Sequence, residues 1–290
     1  MVVKIGAVFP QTELGGDAGA VRAYGTAVAE LGYHHVLMYD HVLGADPAHH
    51  AGWSGPYDVT TTFHEPFVMF GYLAALTNLE LVTGIIILPQ RQTVLVAKQA
   101  AEVDLLTGGR FRFGVGLGWN PVEYEALGQP FDKRGRRLSE QIGLLRALWT
   151  SPSVIFAGEF DQVTGAGLAP LPVQRPIPIW IGGRSDPAYR RMGRLADGWF
   201  PMVQPGPDLD HAIEIVRAAA ESAGRDPDRI GMEGRVLWNP QDPDDFARQV
   251  ERWRIAGATH LAVNTMNTDQ RSVDDHIAAL GSAAPLCLAG

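Results

Sequence analysis

Cysteine is almost absent from this sequence, and its scarcity excludes several kinds of site. Cys287 is the only cysteine among 290 residues, so an intrachain disulfide, a cysteine-rich zinc site and an iron–sulfur cluster are all excluded. It falls in the C-terminal segment APLCLAG, where we do not expect a catalytic nucleophile.

Long apolar runs, a leader pattern and excess positive charge are missing as well. No stretch reaches the roughly 18 consecutive apolar residues that a membrane-spanning helix needs. The opening segment MVVKIGAVFPQTE lacks the basic start and longer apolar core of a signal peptide. The chain has 24 Lys and Arg against 32 Asp and Glu, a formal net charge of −8, which argues against broad nucleic-acid or membrane-surface binding. We therefore expect a cytoplasmic protein whose partners include neither nucleic acid nor membrane.

The regular feature of the chain is an alternation of β-rich runs with helical patterns. Apolar runs such as LVTGIIIL suit a parallel strand that is buried on both faces. The segments between strands repeat apolar residues at the helical period, for example Leu138, Ile142 and Leu145. The eight predicted strands are Val2–Phe9, His35–Tyr39, Leu79–Leu88, Phe111–Leu117, Ile177–Ile181, Gly198–Val203, Ile230–Trp238 and His260–Met266.

Strict strand–helix alternation predicts a parallel sheet with helical crossovers. Eight such units in this length predict an α/β fold, a (β/α)8 TIM barrel that forms a single domain over residues 1–290. A doubly wound open sheet is the alternative, although it usually has fewer strands. Segments 42–62 and 154–174 interrupt the alternation, and long loops of this kind are often lids.

Four helix starts are predicted from Asp or Ser at a cap position, followed in two cases by proline at the first helical position. They are Asp132, Asp186-Pro187, Asp242-Pro243 and Ser272.

The active site of a βα barrel lies at the C-terminal ends of its strands, and this rule selects a few candidate residues. Asp40 and His41 end the second strand, while the runs GVGLGW and IGG end the fourth and fifth. Glycine lets the backbone approach a ligand, and a following helix start attracts phosphate. Turn geometry without any ligand is the competing explanation for each loop. The glycines concerned are Gly116, Gly118, Gly182 and Gly183.

The remaining polar residues narrow the chemistry. Few carboxylates end the strands, which disfavours a two-carboxylate glycosidase. The histidines form no H-E-x-x-H or comparable ligand pattern, so we predict no metal site. Basic residues cluster on two helical segments, where they either face solvent or select an anionic ligand. These residues are Lys133, Arg134, Arg136 and Arg137, then Arg184, Arg190, Arg191 and Arg194. The strand ends are rich in glycine, amide side chains and aromatic residues and carry one Asp-His pair. This set of residue types suits a flat, aromatic, phosphate-bearing ligand.

Several of these segments, in order, resemble the luciferase-like flavin and deazaflavin oxidoreductases. YDHV (39–42) resembles the family's Asp-His pair, and residues 83–128 resemble its third and fourth units. FDKRGRRLSEQIGLLRALW (131–149) resembles the helix after the fourth strand, and PIPIWIGGRSDPAYRRMGRLADGWFP (176–201) resembles its second phosphate-binding segment. The resemblance covers nearly the whole chain and is greatest to the actinobacterial F420-dependent branch.

The resemblance implies a barrel with an insertion after the fourth βα unit and a cofactor at the strand ends. Coenzyme F420 is the implied cofactor, with FMN as the alternative. His41 would be the catalytic proton-transfer residue, and Asp40 would orient the ring or His41. The cofactor would also contact Ile85, Ile86, Gly116, Gly118, Trp119, Gly182, Gly183 and Arg184. The family often has a non-prolyl cis peptide behind the ring, which would fall at Ile85–Ile86.

Three functions stay open on this basis. An F420-dependent oxidoreductase, which exchanges a hydride with a small-molecule substrate, is the first, and we expect it to be a homodimer. An FMN-dependent monooxygenase that activates O2 is the second, and a non-catalytic flavin-binding protein of the same fold is the third. An unrelated barrel enzyme, such as a metal-assisted hydrolase, is the remaining class, and metal analysis would detect it.

Overall fold

The structure is a computed structural model that describes residues 2–288. Its strands are β1 (Lys4–Val8), β2 (His35–Met38), β3 (Glu80–Thr83), β4 (Ile86–Ile87), β5 (Phe111–Gly116), β6 (Val154–Ala157), β7 (Gln162–Ala166), β8 (Ile179–Gly183), β9 (Gly198–Pro201), β10 (Gly231–Leu237) and β11 (His260–Asn264). Its helices are α1 (Ala18–Glu30), α2 (Pro66–Ala74), α3 (Thr93–Thr107), α4 (Pro121–Ala126), α5 (Arg134–Thr150), α6 (Asp186–Leu195), α7 (Pro207–Ser222), α8 (Pro243–Ile255) and α9 (Val273–Cys287). Within the described residues, no helix combines the length and apolar character needed to cross a membrane.

The parallel strands close into a barrel. Pairing runs β1, β2, β3, β5, β8, β9, β10, β11 and back to β1, and β4 extends the third barrel strand along β5. Lys4 of β1 lies opposite His260 of β11, so the sheet has no free edge and the open doubly wound alternative is wrong. The predicted (β/α)8 TIM barrel is confirmed.

The third barrel strand is interrupted, whereas the sequence predicts one run over Leu79–Leu88. β3 ends at Thr83, β4 begins at Ile86, and the three residues that follow β4 form a 3-10 turn. The Thr83 hydroxyl donates to the Gly114 carbonyl and accepts from the Gly114 N–H, each at 2.8 Å. These side-chain bonds replace the backbone ladder at the break, and Ile85 lies within it.

The peptide bond expected to be cis at this break is trans, so that expectation is wrong. Among residues 2–288 the cis bonds are Ala169–Pro170 and Arg175–Pro176, both of which precede proline.

Two of the four predicted helix caps are confirmed, since the side chains of Asp242 and Ser272 accept backbone N–H groups at the starts of α8 and α9. The predictions at the starts of α5 and α6 are each wrong by one residue. Lys133 and Ser185 occupy the cap positions there, and neither side chain caps the helix. Both helices therefore begin with N–H groups that no cap side chain satisfies.

The two segments that interrupt the alternation have different roles. Segment 154–174 follows α5 and forms the antiparallel hairpin β6–β7. Its turn is fixed to the barrel wall, because the Glu140 carboxylate of α5 accepts the three successive backbone N–H groups of residues 159–161 at 2.7–2.8 Å. Residues 42–62 contain neither helix nor strand, and they lie at the barrel mouth beside the strand ends.

Charged side chains fill the barrel interior near the strand N-termini. The fully buried Glu233 contacts His35 Nε2 at 2.8 Å through one carboxylate oxygen and Arg112 at 2.5 Å through the other. Arg112 also pairs with Glu80 at 3.1 Å, and its guanidinium lies 4.4 Å from the Trp180 ring centroid. A Cβ at Gly6 would lie 2.2 Å from the His35 ring, so only glycine leaves room for this network.

The network shifts the pKa values of its members. Burial alone would raise the pKa of Glu233, but Arg112 and His35 outweigh it and lower that pKa to about 2. Burial, together with the Arg112 charge, lowers the pKa of His260 to about 2. Both groups therefore keep fewer protons in the folded chain than in the unfolded chain, and acid should destabilise the fold through both.

An apolar layer lies above the charges and below the mouth. It is a separate cluster from the main core between barrel and helices. Its buried members are Val8, Leu37, Val82, Trp180, Phe200, Ala262 and Met266, with Tyr39 and Ile85 packed against them. The barrel is thus solid below its mouth.

We predict that Glu233→Gln lowers the free energy of unfolding at pH 7 by about 3–5 kcal/mol, because it breaks a buried ion pair and leaves Arg112 with only the partly exposed Glu80 as a partner. Urea denaturation measures this, with Glu214→Gln on the exposed face of α7 as the control. The carboxylate stabilises the fold above its ordinary pKa of 4.5 and loses that effect as pH falls towards about 2. The variant should therefore show a weaker pH dependence in that window, and a curve parallel to the parent's would contradict the assignment.

Candidate functional site

A cleft of about 950 Å³ opens at the C-terminal ends of the barrel strands, where the sequence predicts the active site. Nine of the ten predicted site residues line it: Asp40, His41, Ile85, Gly116, Gly118, Trp119, Gly182, Gly183 and Arg184. Ile86 does not, because its fully buried side chain packs in the main core, and its assignment to the site is wrong.

Ile85 provides an apolar surface in the cleft, and two of the predicted glycines make room for it. A Cβ added at Gly116 would lie 2.6 Å from Ile85 Cδ1, and one added at Gly182 would lie 3.1 Å from Ile85 Cγ2. Larger residues at these strand ends would displace Ile85. The side chain is therefore held between β5 and β8 whether or not a ligand is bound.

The other two predicted glycines also have structural reasons. Gly118 has φ +63°, and its Cβ would lie 2.6 Å from Ile87 Cγ2. A Cβ at Gly183 would lie 2.9 Å from the Cβ of Ala188 on α6. A bulky substitution at Gly183 would thus strain the protein itself, so a loss of ligand binding in such a variant would not identify a phosphate contact.

His41 lies at the end of β2 with its ring nearly buried. Its Nδ1 lies 3.3 Å from Glu123 Oε2, and its side chain is 10% exposed. The ring packs against three aromatic rings, with centroid distances of 4.8 Å to Phe63, 5.2 Å to Tyr57 and 5.6 Å to Trp119. The imidazole is therefore oriented on one side by a carboxylate and exposed to the cleft on another.

Glu123 is the buried partner of His41 that sequence reasoning missed. It is fully buried on the short helix α4, and its Oε1 also accepts the N–H groups of Val42 and Leu43. Asn120 positions it by capping α4, with Oδ1 accepting the N–H groups of the second and third helical residues. The available signal was the Asn-Pro-x-Glu run directly after the fourth strand, which predicts a capped helix with an acidic first turn.

Asp40 is occupied by the protein rather than exposed to a ligand. Its Oδ1 pairs with Arg91 Nη2 at 2.7 Å, and its Oδ2 accepts the Ile87 N–H at 3.1 Å. Burial raises the pKa of Asp40, and Arg91 offsets this only in part. The carboxylate thus holds the ends of β2 and β4 together, which positions Ile85 and His41 indirectly.

Aromatic side chains from residues 42–62, which we call the mouth segment, line the cleft. Trp53 and Trp119 pack with ring centroids 5.7 Å apart, and the Trp53 indole donates to the Tyr57 carbonyl at 3.1 Å. Gly55 passes between the two tryptophans, since a Cβ there would lie 2.5 Å from each ring. Of the two lid candidates, segment 42–62 therefore contributes to the cleft.

Three arginines line one end of the cleft, and we call them, with the starts of α5 and α6, the cationic pole. They are Arg134, Arg184 and Arg191. Within residues 2–288, none of the three forms an ion pair with a carboxylate. Burial, with the Arg194 charge, lowers the pKa of Arg191. A ligand anion would neutralise this concentration of like charge.

Other residues of the two basic clusters point elsewhere. Lys133 and Arg136 pair with Glu159 of the hairpin turn, and Arg190 pairs with Asp186 at 3.5 Å. These are exposed pairs on the outer surface. The solvent-facing interpretation is therefore correct for them, and the anionic-ligand interpretation fits only the cationic pole.

The described residues contain neither a cluster of metal-ligating side chains nor an exposed thiol. Within residues 2–288 no group of three or more His, Cys, Asp or Glu side chains is arranged to hold a metal ion. Cys287 is buried on α9, and burial raises its pKa to about 11.

Comparison with known proteins gives a family and relatives of differing chemistry. A family model described as luciferase-like monooxygenase matches residues 3–276. An uncharacterized protein of Mycobacterium tuberculosis is 41% identical over 164 residues, so the match spans only 56% of each of the two chains. The FMNH2-dependent dimethylsulfone monooxygenase of Pseudomonas putida is 32% identical over 217 residues, which are 73% of this chain and 57% of that enzyme.

Solved structures share the fold. The monooxygenase RslO1 of Streptomyces bottropensis matches over 99% of both chains with a TM-score of 0.80 and 19% identity. The coenzyme F420 dependent tetrahydromethanopterin reductase of Methanopyrus kandleri matches over 99% of both chains with a TM-score of 0.77 and 14% identity. Proteins named for FMNH2 and for F420 are thus both similar to this chain, and at these structural identities the likeness shows the fold alone.

We predict that Glu123→Gln lowers the free energy of unfolding by about 1.5–3 kcal/mol, the range for hydrogen bonds to a charged group. The start of segment 42–62 should open more often, so limited proteolysis should cut that segment faster. Glu125→Gln, on the exposed side of the same helix, is the matched control. Equal stability and equal cleavage rates in the two variants would show that Glu123 does not fix the mouth segment.

Proposed function

Because the chain belongs to the luciferase-like monooxygenase family, we propose that it is an F420-dependent oxidoreductase, which transfers hydride between a deazaflavin cofactor and a small organic substrate. The closed barrel and the cleft at its strand ends support an oxidoreductase of this family. The choice of F420 over FMN rests on the charges that line the cleft.

The cationic pole is the observation that carries this choice. F420 has a phosphate and a chain of glutamates, so its tail is more anionic than that of FMN. A protein with a net charge of −8 would repel such a tail unless local cations compensated for the repulsion. Arg134, Arg184 and Arg191 supply them at one end of the cleft. Since exposed charge pairs contribute only about 0.2–1 kcal/mol each, the tail would need several of these arginines.

The residues around the cleft fit this cofactor. Ile85, fixed between Gly116 and Gly182, offers an apolar surface for a flat ring. The Ser185 hydroxyl and the N–H groups at the start of α6 are available for a phosphate, because no side chain caps that helix. When bound, a deazaflavin supplies a hydride donor or acceptor, and the chain supplies position, charge and protons.

His41 would move the proton that accompanies hydride transfer at a substrate carbonyl or alcohol. Glu123 faces Nδ1, which favours the tautomer with its proton on that nitrogen and leaves Nε2 for exchange with substrate. The packed rings of Phe63, Tyr57 and Trp119 keep bulk water from most of the imidazole. In this scheme Glu123 is a positioning residue for His41.

An FMN-dependent monooxygenase is the second candidate. The observation that favours it is the 32% identity to the FMNH2-dependent dimethylsulfone monooxygenase. An FMN phosphate could use the same cationic pole, so the two candidates differ in how strongly binding depends on charge.

The test is to titrate F420 and FMN separately at low and high salt and to follow tryptophan fluorescence. F420 should bind more tightly than FMN and should weaken more with salt, because charge contacts are screened beyond about 8–10 Å at physiological ionic strength. The double variant Arg184→Gln/Arg191→Gln should weaken F420 binding more than FMN binding. Arg190→Gln/Arg194→Gln removes the same charge from outside the cleft and should change neither by more than about twofold, since isolated surface charges contribute little.

Two results would contradict the proposal. Tighter FMN binding, with oxygenation of a substrate by reduced FMN, would favour the monooxygenase. A flat and equal salt response for both cofactors would mean that the cationic pole does not select the tail.

We also predict that His41→Ala lowers turnover by about 10²–10⁴-fold, the usual contribution of a general acid–base group. Reduced F420 consumption, screened across carbonyl and enone substrates, supplies the assay. The dissociation constant of F420 should change much less than turnover does. An unchanged kcat would remove His41 from the chemistry.

A further inference from the structure

A fourth arginine without a carboxylate partner among residues 2–288 lies in the wall of the same cleft, two strands beyond β8. Arg235 of β10 lines both the main cleft and an adjoining cavity of about 370 Å³. Its one side-chain hydrogen bond donates from Nη1 to the Tyr39 hydroxyl at 3.3 Å. No carboxylate of the described residues is within ion-pairing distance of it.

Two other arginines of the barrel, unlike Arg235, each pair with two carboxylates. Arg91 pairs with both Asp40 and Glu65, and Arg112 pairs with both Glu80 and Glu233. Burying a charge without a partner is costly. The chain avoids this cost at Arg91 and at Arg112 by placing two carboxylates beside each of them.

Glu233, two residues away on the same strand, forms no ion pair with Arg235, although the charges of Tyr39 and Glu233 help to raise the pKa of Arg235. Both of its carboxylate oxygens are committed to His35 and Arg112 at the lower level of the barrel. Arg235 is half-buried, and its guanidinium carbon lies 5.8 Å from the Tyr39 ring centroid, so it lines the cleft with an aromatic neighbour and, among residues 2–288, without a carboxylate partner.

We propose that Arg235 binds the carboxylate of the substrate, so that the substrate class is small organic carboxylates. This inference rests on the proposed function, because it assigns the substrate of the same cleft. A guanidinium matches a carboxylate with two parallel hydrogen bonds, which a neutral alcohol or ketone cannot reproduce. In the proposed function the cationic pole binds the cofactor tail. Arg235 is not needed for that contact and is available to bind the substrate.

The surroundings of Arg235 suit the body of such a substrate. The adjoining cavity of about 370 Å³ is of small-molecule size. Amide side chains that can hydrogen-bond a polar substrate share its wall, namely Gln204, Asn264 and Asn267.

Tyr57 lines the same cleft as Arg235 and packs against the proposed catalytic residue. Its ring centroid lies 5.2 Å from that of His41. Burial raises the pKa of its hydroxyl, and the nearby Arg235 charge counteracts part of that rise. Arg235, Tyr57 and His41 all line the main cleft, so a substrate held by its carboxylate at Arg235 would share that cleft with His41.

The test is a calorimetric binding measurement on the F420-loaded protein, with matched probes that differ only in charge. The probes are benzoate against benzamide and butyrate against butyramide, and the titrations are repeated without F420. The parent should bind at least one carboxylate about tenfold or more tightly than its amide, the ratio expected for a hydrogen bond to a charged group. Arg235→Gln should abolish that preference, while Arg235→Lys should retain part of it.

Arg184→Gln is the matched control, because it removes one cation from the same cleft, at the end of β8 rather than on β10. It should weaken F420 binding and leave the carboxylate preference intact, and Arg235→Gln should do the reverse. Weakened F420 binding in Arg235→Gln comparable to that in Arg184→Gln would mean that the cofactor tail uses Arg235, and would overturn the inference.

The remaining outcomes separate this inference from the proposed function. Equal affinity for carboxylates and amides, no saturable carboxylate binding, or a preference that survives Arg235→Gln would each overturn it, even if F420 binds. A carboxylate preference that depends on Arg235 in a protein that fails to bind F420 would support the anion site and contradict the proposed cofactor.

Discussion

The pairing of Glu233 with Arg112 and His35 inside the barrel is the interaction on which the other layers depend. It neutralises charges that would otherwise be buried alone, which costs several kcal/mol per ion. The apolar layer can then close over it, with Trp180 in contact with Arg112 from above. Because the barrel is filled below its mouth, the cleft at the strand ends is the part of the interior left for a ligand.

Near the mouth, too, buried carboxylates pair with other groups of the protein, and this leaves the cleft with a positive lining. Asp40 is committed to Arg91, and Glu123 to the backbone of residues 42–43 and to His41. The carboxylates near the mouth thus hold the protein together rather than face a ligand. The cations that line the cleft have no such partners among the described residues, so an acidic protein presents a positive interior surface to small anions.

The sequence was sufficient for the architecture because its alternation is strict and its apolar runs are long. It also predicted a site at the strand ends, where the structure has a cleft. What it could not provide depends on contacts between distant segments. The Thr83 hydroxyl bonds to Gly114 at the break that contains Ile85, and Ile86, which the family resemblance assigned to the cofactor, packs in the main core. Glu123 is identified by its contacts with residues about 80 positions away. Arg235 is identified by the lack of a carboxylate partner among the described residues.

The glycines show a second limit, because one residue type can serve two purposes. Gly116 and Gly182 make room for Ile85, and Gly183 makes room for Ala188, yet all three also line the cleft. The most direct measurement of the central claim is therefore a crystal structure of the protein grown with F420. We expect the phosphate within hydrogen-bonding distance of Arg184, Arg191 or the start of α6, with the ring against Ile85 and facing His41. Density for the ring or phosphate outside this cleft, or a phosphate bound at Arg235, would contradict the account.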